Sequence, residues 1–325
     1  MTARQFRIGA VAALTAFALL PGSPLAHAAA GAAPPVVGVA MDGSKATLSG
    51  ADHLLSGWTT FKVSSTSADN NLAFFVNRPG AAAPAAAPAP APQPADNTPN
   101  AVNPNPAPAA DPQPQNQPAA APVRADRAAA RAERARVTAA AEESITMLGG
   151  VATSKGHDAM LTVDLPAGTV YVQDLSATDT TKPVAVLTVA PESNHALMPD
   201  VAQIITVDGK GAFNHPWTLK RSGRLQIENI SHGRHAWHDV VLQKLRKGQT
   251  RDDVVRYFKH DPGEGGTSPF GAPIAGTAPL SAGHAMQFTY DLPPGTYALY
   301  DIWLDYKTGE FNASQGAVTL VNILK

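Results

Sequence analysis

Short segments in which apolar residues alternate with polar ones, or run together, recur along the chain between Gly, Pro, Asn and Asp. Such segments are typical of β-strands. They predict strands at 58–63, 159–165, 169–175, 184–189, 224–230, 239–245, 286–292 and 297–304. Many short strands with few helices favour an all-β fold built from sandwiches.

Two segments show helical patterns instead. Residues 124–148 are Ala-rich, with apolar residues at helical spacing, and are followed by Gly149 and Gly150. Arginines at 124, 127, 131 and 134 form a second stripe, which is typical of a solvated face and less often of a site for an anionic polymer. The segment 250–260 is predicted to start with a capping box between Thr250 and Asp253.

An internal repeat organises the chain. The segments "GHDAMLTVDLPAGT" (156–169) and "GHAMQFTYDLPPGT" (283–296) are identical at eight of fourteen positions, at an offset of 127 residues. Upstream, 56–65 matches 222–231 at an offset of 166. The offsets differ by 39 residues, so a segment of about that length interrupts the first copy. This indicates two tandem domains, at 36–190 and 200–325.

Composition identifies the interruption. Residues 80–123 contain 13 prolines among Ala, Asn, Gln and Asp, with no Lys, Arg or aromatic residue. A segment with so few apolar side chains cannot offset its ordering entropy, which predicts a disordered Ala/Pro-rich loop inside the first domain. It is interpreted as a tolerated insertion at a surface loop, or alternatively as a spacer or a cell-wall-interacting arm.

The N-terminal residues are typical of a secretory signal. Arg4 and Arg7 precede the apolar run 8–20, and "AHA" at 26–28 fits a small-residue cleavage site. We therefore predict a signal peptide over 1–28 with cleavage after Ala28, and a mature protein that is secreted or periplasmic. No other stretch approaches the length of a membrane span, so an integral membrane protein is not expected. The net charge of −1 gives no reason to expect nucleic acid as a partner.

The order of elements in the second copy resembles that of the cupredoxins, the plastocyanin- and azurin-like Greek-key β-sandwiches, and especially their secreted bacterial relatives. The resemblance rests on a strand ending at Asn229, on "HDVVLQKL" (238–245), on a helix, and on "LPPGTY" (292–297) before a final strand. It implies two tandem cupredoxin-like sandwiches, each with a helical insertion.

The resemblance also implies where copper ligands would lie. A cupredoxin site uses a His, a Cys, a second His and usually a Met. Here His238 occupies the first His position and Asp301 the Cys position, whereas the loop that should supply the second His and the Met offers Asn312 near the His position and Ala317 after Gly316. The chain contains no cysteine, so a blue-copper site is not expected. Asp174 takes the place of Asp301 in the first copy.

A cluster of histidines is the remaining candidate for metal chemistry. His232, His235 and His238 are spaced three apart, and Asp301 could add a carboxylate ligand for copper or zinc. Alternatively, these are loop histidines, with His238 hydrogen-bonded to Asp301 as a structural remnant. No cofactor is therefore expected unless copper or zinc binds at this cluster.

These features favour a protein that is not an enzyme. The expected function is a secreted, non-catalytic binding or structural module of the cell envelope or extracellular space, with a partner that the sequence does not identify. The alternative is a secreted or periplasmic copper- or zinc-binding protein that uses the three histidines.

Overall fold

The computed structural model describes residues 32–42, 45–66, 70–78, 121–153, 155–177, 182–201, 203–260 and 267–325. The predicted signal peptide (1–28) and all but the last three residues of the predicted insertion (80–123) lie outside these ranges. The described residues between 32 and 325 form one compact unit. The division into domains at 36–190 and 200–325 remains a prediction.

The all-β prediction is confirmed, because strands dominate the described residues. The strands of the first copy are β1 (Val36–Asp42), β2 (Lys45–Ser49), β3 (Leu54–Ser65), β4 (Asn70–Asn77), β5 (Ile145–Thr153), β6 (Ala159–Leu165), β7 (Gly168–Asp174) and β8 (Ala185–Ser193). The strands of the second copy are β9 (Ile204–Val207), β10 (Phe213–Asn214), β11 (Thr218–Leu219), β12 (Ser222–Asn229), β13 (Val241–Leu245), β14 (Phe270–Gly276), β15 (Ala285–Asp291), β16 (Gly295–Tyr300) and β17 (Val318–Ile323). All eight strands predicted from the sequence are present, with ends shifted by a few residues.

The two copies pair their strands in the same way. In the first, β4 pairs antiparallel with β5 and β7, and β7 pairs with β8. In the second, β13 pairs antiparallel with β14 and β16, and β16 pairs with β17. The other sheet repeats as well, because β1–β3 and β9–β12 are parallel while β3–β6 and β12–β15 are antiparallel. The internal repeat of the sequence is therefore also a repeat of topology.

A continuous sheet joins the copies. Strand β6 of the first copy pairs antiparallel with β15 of the second, and Gln287 lies opposite Thr162. Strand β3 connects the sheet that contains β6 to the strands around β8, because its first residues pair with β8 and its later residues pair with β6. One large apolar core lies along this junction, including the fully buried Phe61, Leu161 and Met286.

Helix α1 (Ala121–Ser144) precedes β5, and helix α2 (Arg251–Lys259) precedes β14. Thr250 and Asp253 form the predicted capping box. The prediction of helix over 124–148 was wrong at its end, because residues from Ile145 onward form β5. These residues pair with β4, starting at Asn77 opposite Ile145, and tertiary pairing overrides the local pattern.

Helix α1 packs through its last turns. Ala135, Thr138 and Ala141 are buried, as is Glu142. The arginine stripe is in part a docking surface within the chain, because Arg131 pairs with Glu310 at 2.7 Å and the Nε atom of Arg134 donates to the carbonyl of Gly309 at 3.0 Å. Both partners lie in the 305–311 loop of the second copy.

Candidate functional site

Asp301 is the centre of a buried polar cluster at the end of β16. It has no exposed surface, and its two carboxylate oxygens accept hydrogen bonds from several donors. Oδ2 accepts from the Nδ1 atom of His238 at 2.6 Å and from the side-chain amide of Asn312 at 2.8 Å. Oδ1 accepts from the backbone N–H of Trp303 at 2.8 Å and of Asp239 at 3.4 Å. The residues at three of the four positions implied by the cupredoxin resemblance therefore meet on one carboxylate.

His238 reaches Asp301 because its backbone is held just before β13 by an isolated β-bridge to Leu280. Its N–H donates to the carbonyl of Leu280 at 3.2 Å, and the N–H of Leu280 donates back to His238 at 2.8 Å. We assign the ring proton to Nδ1, which faces the carboxylate. The Nε2 atom is then the free ring nitrogen, and it is buried without a hydrogen-bond partner among the described residues.

Ala317 takes part in the cluster through its backbone. The Asp301 N–H donates to the Ala317 carbonyl at 3.1 Å. Its methyl group lies beside Gly211, where an added Cβ would come within 2.9 Å of the Ala317 Cβ. The position that the resemblance gives to a methionine ligand is thus closed by a short side chain and a glycine.

A second carboxylate is buried next to the first. Asp239 is 4% exposed, and its Oδ1 accepts from the Ile302 N–H at 2.8 Å. Burial, followed by the charge of Asp301, raises the pKa of Asp239 well above its ordinary value. Two adjacent buried carboxyl groups are unfavourable when both are ionised, so we assign the proton to Asp239.

The first copy repeats part of this arrangement at Asp174. Its Oδ1 accepts from the backbone N–H of Ser176 at 3.0 Å, two residues ahead, as Asp301 accepts from Trp303. It also accepts from the N–H of Asn71 on the neighbouring strand at 3.1 Å, as Asp301 does from Asp239. In both copies the aspartate holds the end of one strand to the start of its neighbour.

The structure does not bring the three predicted histidines together. His232 is exposed on the 231–238 loop, whereas His238 is buried and turned towards Asp301. His235 instead lies 2.8 Å from Glu143 and 3.3 Å from Glu142. Within the residues that the structure describes, no group of three or more His, Asp or Glu side chains is arranged to hold a metal ion. The expected hydrogen bond between His238 and Asp301 is confirmed.

Sequence reasoning missed Glu142 of α1, which is 2% exposed. Its Oε2 atom lies 3.3 Å from the Nδ1 atom of His235, whose ring stacks on Tyr306 with 4.5 Å between ring centroids. Burial raises the pKa of Glu142 to about 8, and interactions with the Trp303 side chain and the Trp237 backbone oppose this rise only in part. The Trp303 Nε1 atom has no partner in hydrogen-bond geometry, so we regard its contact with Glu142 as weak.

Comparison with known proteins gives matches among solved structures only. No protein-family model and no curated protein sequence matches the chain. The chain is similar to dithionite-reduced auracyanin from Roseiflexus castenholzii, at 17% identity over 38% of this chain and 95% of that chain, with a TM-score of 0.26. It is similar to an azurin from Methylomonas sp. strain J at 10% identity, over 38% and 96% of the two chains, with a TM-score of 0.24.

The chain is also similar, over a longer stretch, to a multicopper oxidase from Pediococcus acidilactici. That match has 7% identity, covers 90% of this chain and 59% of the oxidase, and has a TM-score of 0.23. Because these scores are low, we assign the cupredoxin-like fold from the strand order and pairing of the chain itself. The predicted cupredoxin-like fold is confirmed on that basis. Among the described residues, no helix combines the length and apolar character needed to cross a membrane.

Proposed function

We propose that this chain is a secreted, non-catalytic binding or structural module with a cupredoxin-like fold, working in the cell envelope or extracellular space. The observation that carries the proposal is the cluster at Asp301. At the end of the fold where the resemblance implies copper ligands, a carboxylate is hydrogen-bonded to His238 and Asn312. The site is therefore built to hold loops together.

The hydrogen bonds explain why this cluster is a poor copper site. A metal ion bound to Asp301 Oδ2 would have to displace both His238 and Asn312 from the same oxygen. Asn312 presents its N–H group, which is a donor and not a ligand. Without a thiolate, the donors that remain are hard oxygens and imidazole, which do not favour the reduced state of copper.

The proposed location rests on the sequence. The basic, apolar and small-residue pattern of residues 1–28 is that of a cleaved secretory signal. The partner would be a component of the envelope or the surrounding medium.

Metal analysis tests the proposal directly. The mature protein, purified without a His-tag after exposure to copper and zinc salts, should contain neither metal at stoichiometric level by elemental analysis. Stoichiometric copper or zinc that survives dialysis would overturn the proposal.

A gain-of-function variant tests whether the ligand positions are correctly placed. Combining Asp301→Cys with Asn312→His should give a protein that turns intensely coloured with Cu(II), because a thiolate–copper bond absorbs visible light. The same double variant with His238→Ala is the matched control and should stay colourless. A colourless double variant that is folded by circular dichroism would mean that positions 238, 301 and 312 do not form one site.

One observation favours a second candidate, a copper- or zinc-binding protein that uses the predicted histidines. The Nε2 atom of His238 is buried and unpartnered among the described residues, so it has a lone pair available for a ligand. Calorimetric titration with Cu(II) and Zn(II) would then show binding that His238→Ala abolishes. An isotherm that is the same for His238→Ala and the unchanged protein would rule out this candidate.

A further inference from the structure

A small basic cleft opens where helix α1 of the first copy meets helix α2 of the second. Arg131 and Arg134 of α1 line it on one side, and Lys259, the last residue of α2, lines it on the other. Glu310 is the one acidic residue among the described residues that line it. Three cations and one carboxylate give the cleft a net charge of +2, although the whole chain has a net charge of −1.

The 305–311 loop of the second copy holds the two arginines in place. Arg131 pairs with Glu310 at 2.7 Å, and the Nε atom of Arg134 donates to the Gly309 carbonyl at 3.0 Å. The Arg131 side chain is still 40% exposed, and a guanidinium has five N–H donors, so it can also bind a group in the cleft. Cations that are already positioned lose little freedom when a ligand binds, which favours affinity.

The floor of the cleft is apolar and the space above it is small. Phe258 and Phe311 form this floor, and both are buried, with 5.8 Å between their ring centroids. An apolar wall screens charge less than water does, so the field of the cations is concentrated in the cleft. The space open to the centre of a water molecule is about 30 Å³, enough for roughly two or three waters. The cleft therefore fits one small group of a ligand.

Arg127 extends the positive surface beyond the cleft. It is exposed on α1, one turn before Arg131 and about 6 Å from it along the helix axis. A chain with an anionic group in each repeat unit can place one group in the cleft and the next near Arg127. A single free anion reaches the cleft alone.

We propose that the cleft binds a phosphate group, and that this group belongs to a phosphate-bearing polymer of the cell envelope. The inference deepens the proposed function and rests on it, because it supplies the partner of the binding module. The cations face the ligand from two helices, and a tetrahedral phosphate presents oxygens in several directions. One arginine fork would already satisfy a planar carboxylate. The cleft therefore suits a phosphate better than a carboxylate.

Calorimetric titration of the mature protein with long-chain polyphosphate tests the proposal. Polyphosphate should bind, and Lys259→Gln and Arg134→Gln should each weaken binding about tenfold, because each removes a charge-assisted hydrogen bond. Lys259→Arg, which keeps the charge, should keep most of the affinity. Lys220→Gln is the matched control, because Lys220 is exposed and lies before β12, next to Arg221, which bonds to Leu292 at the opposite end of the second copy from the 305–311 loop. It should leave binding unchanged.

Two further probes identify the ligand. Inorganic phosphate should bind more weakly than polyphosphate, and polyglutamate of matched total charge should also bind more weakly. Equal affinity for polyglutamate would overturn the assignment to phosphate, and equal affinity for inorganic phosphate would overturn the assignment to a polymer. Polyphosphate binding that Lys259→Gln leaves unchanged would overturn the site itself. This variant changes only an exposed residue at the end of α2, so it tests the site even if Arg134→Gln loosens α1.

The metal analysis described above is independent of these titrations. A protein that contains no metal and binds no polyphosphate would keep the proposed function and lose the cleft as its binding site. Stoichiometric copper or zinc would overturn the proposed function, whatever the titrations show.

Discussion

Replacement of Asp301 by alanine would remove the one acceptor on which the buried cluster converges. Four donors would lose their partner: the His238 ring, the Asn312 amide, and the backbone N–H groups of Trp303 and Asp239. Each buried donor left unsatisfied costs about 1–3 kcal/mol. These costs do not add in full, because Asn312 and His238 can reorient and water can enter the space left by the carboxylate.

We therefore expect Asp301→Ala to lower the free energy of unfolding by about 3–5 kcal/mol, because reorientation and water recover only part of the cost of four unsatisfied donors. This is a large part of the ~5–15 kcal/mol that stabilises a typical protein. Urea unfolding followed by tryptophan fluorescence measures it as a lower midpoint with an unchanged slope.

Asp291→Ala is the matched control in the same copy. Its side chain is 69% exposed, and its ion pair with Arg221 spans 3.5 Å at the surface. Such pairs contribute about 0–1 kcal/mol. If Asp301→Ala cost no more than Asp291→Ala, the cluster would not hold the end of the sandwich together, and the structural role of Asp301 would be refuted.

Two further variants test the surroundings of the cluster. Asp239→Asn keeps the acceptor for the Ile302 N–H but cannot ionise. Because burial raises the pKa of Asp239, the unchanged protein should lose stability as the pH rises towards that raised pKa. Urea unfolding at pH 5 and pH 9 should therefore show a smaller loss of stability between the two pH values in the variant than in the unchanged protein. An equal loss would contradict the assignment of the proton. Gly309→Ala should cost about 2–4 kcal/mol in thermal unfolding, from the left-handed backbone and the collision with α1, whereas Gly156→Ala, also left-handed but facing open space, should cost about 1–2 kcal/mol. Equal costs would show that α1 is not tightly docked at Gly309.

The strands were predictable where side chains alternate over several residues. The segment 159–165 is an example, because its apolar residues face one core and its prediction matches β6 residue for residue. Strand β14 was missed because "FGAPIAG" contains Gly, Ala and Pro, which do not show a strand pattern. It exists because β13 supplies its pairing partner.

The sequence predicted which residues lie together at the site, but it did not predict the full set of hydrogen bonds that they form. The resemblance placed His238, Asp301 and Asn312 at one end of the fold, and the structure joins them on one oxygen. Glu142 could not be found in this way. A glutamate in an Ala-rich helix is usually solvated, and its burial here depends on His235, which is distant in sequence.

The pairing of β6 with β15 has a consequence for how the two copies depend on each other. In an isolated copy, one of these strands would be a free edge in the middle of an apolar surface, which is a template for aggregation. If one copy were deleted, the β6 or β15 edge of the remaining copy would be exposed. Because the two copies share a sheet, a substitution that weakens β6 or β15 should lower the stability of both copies together.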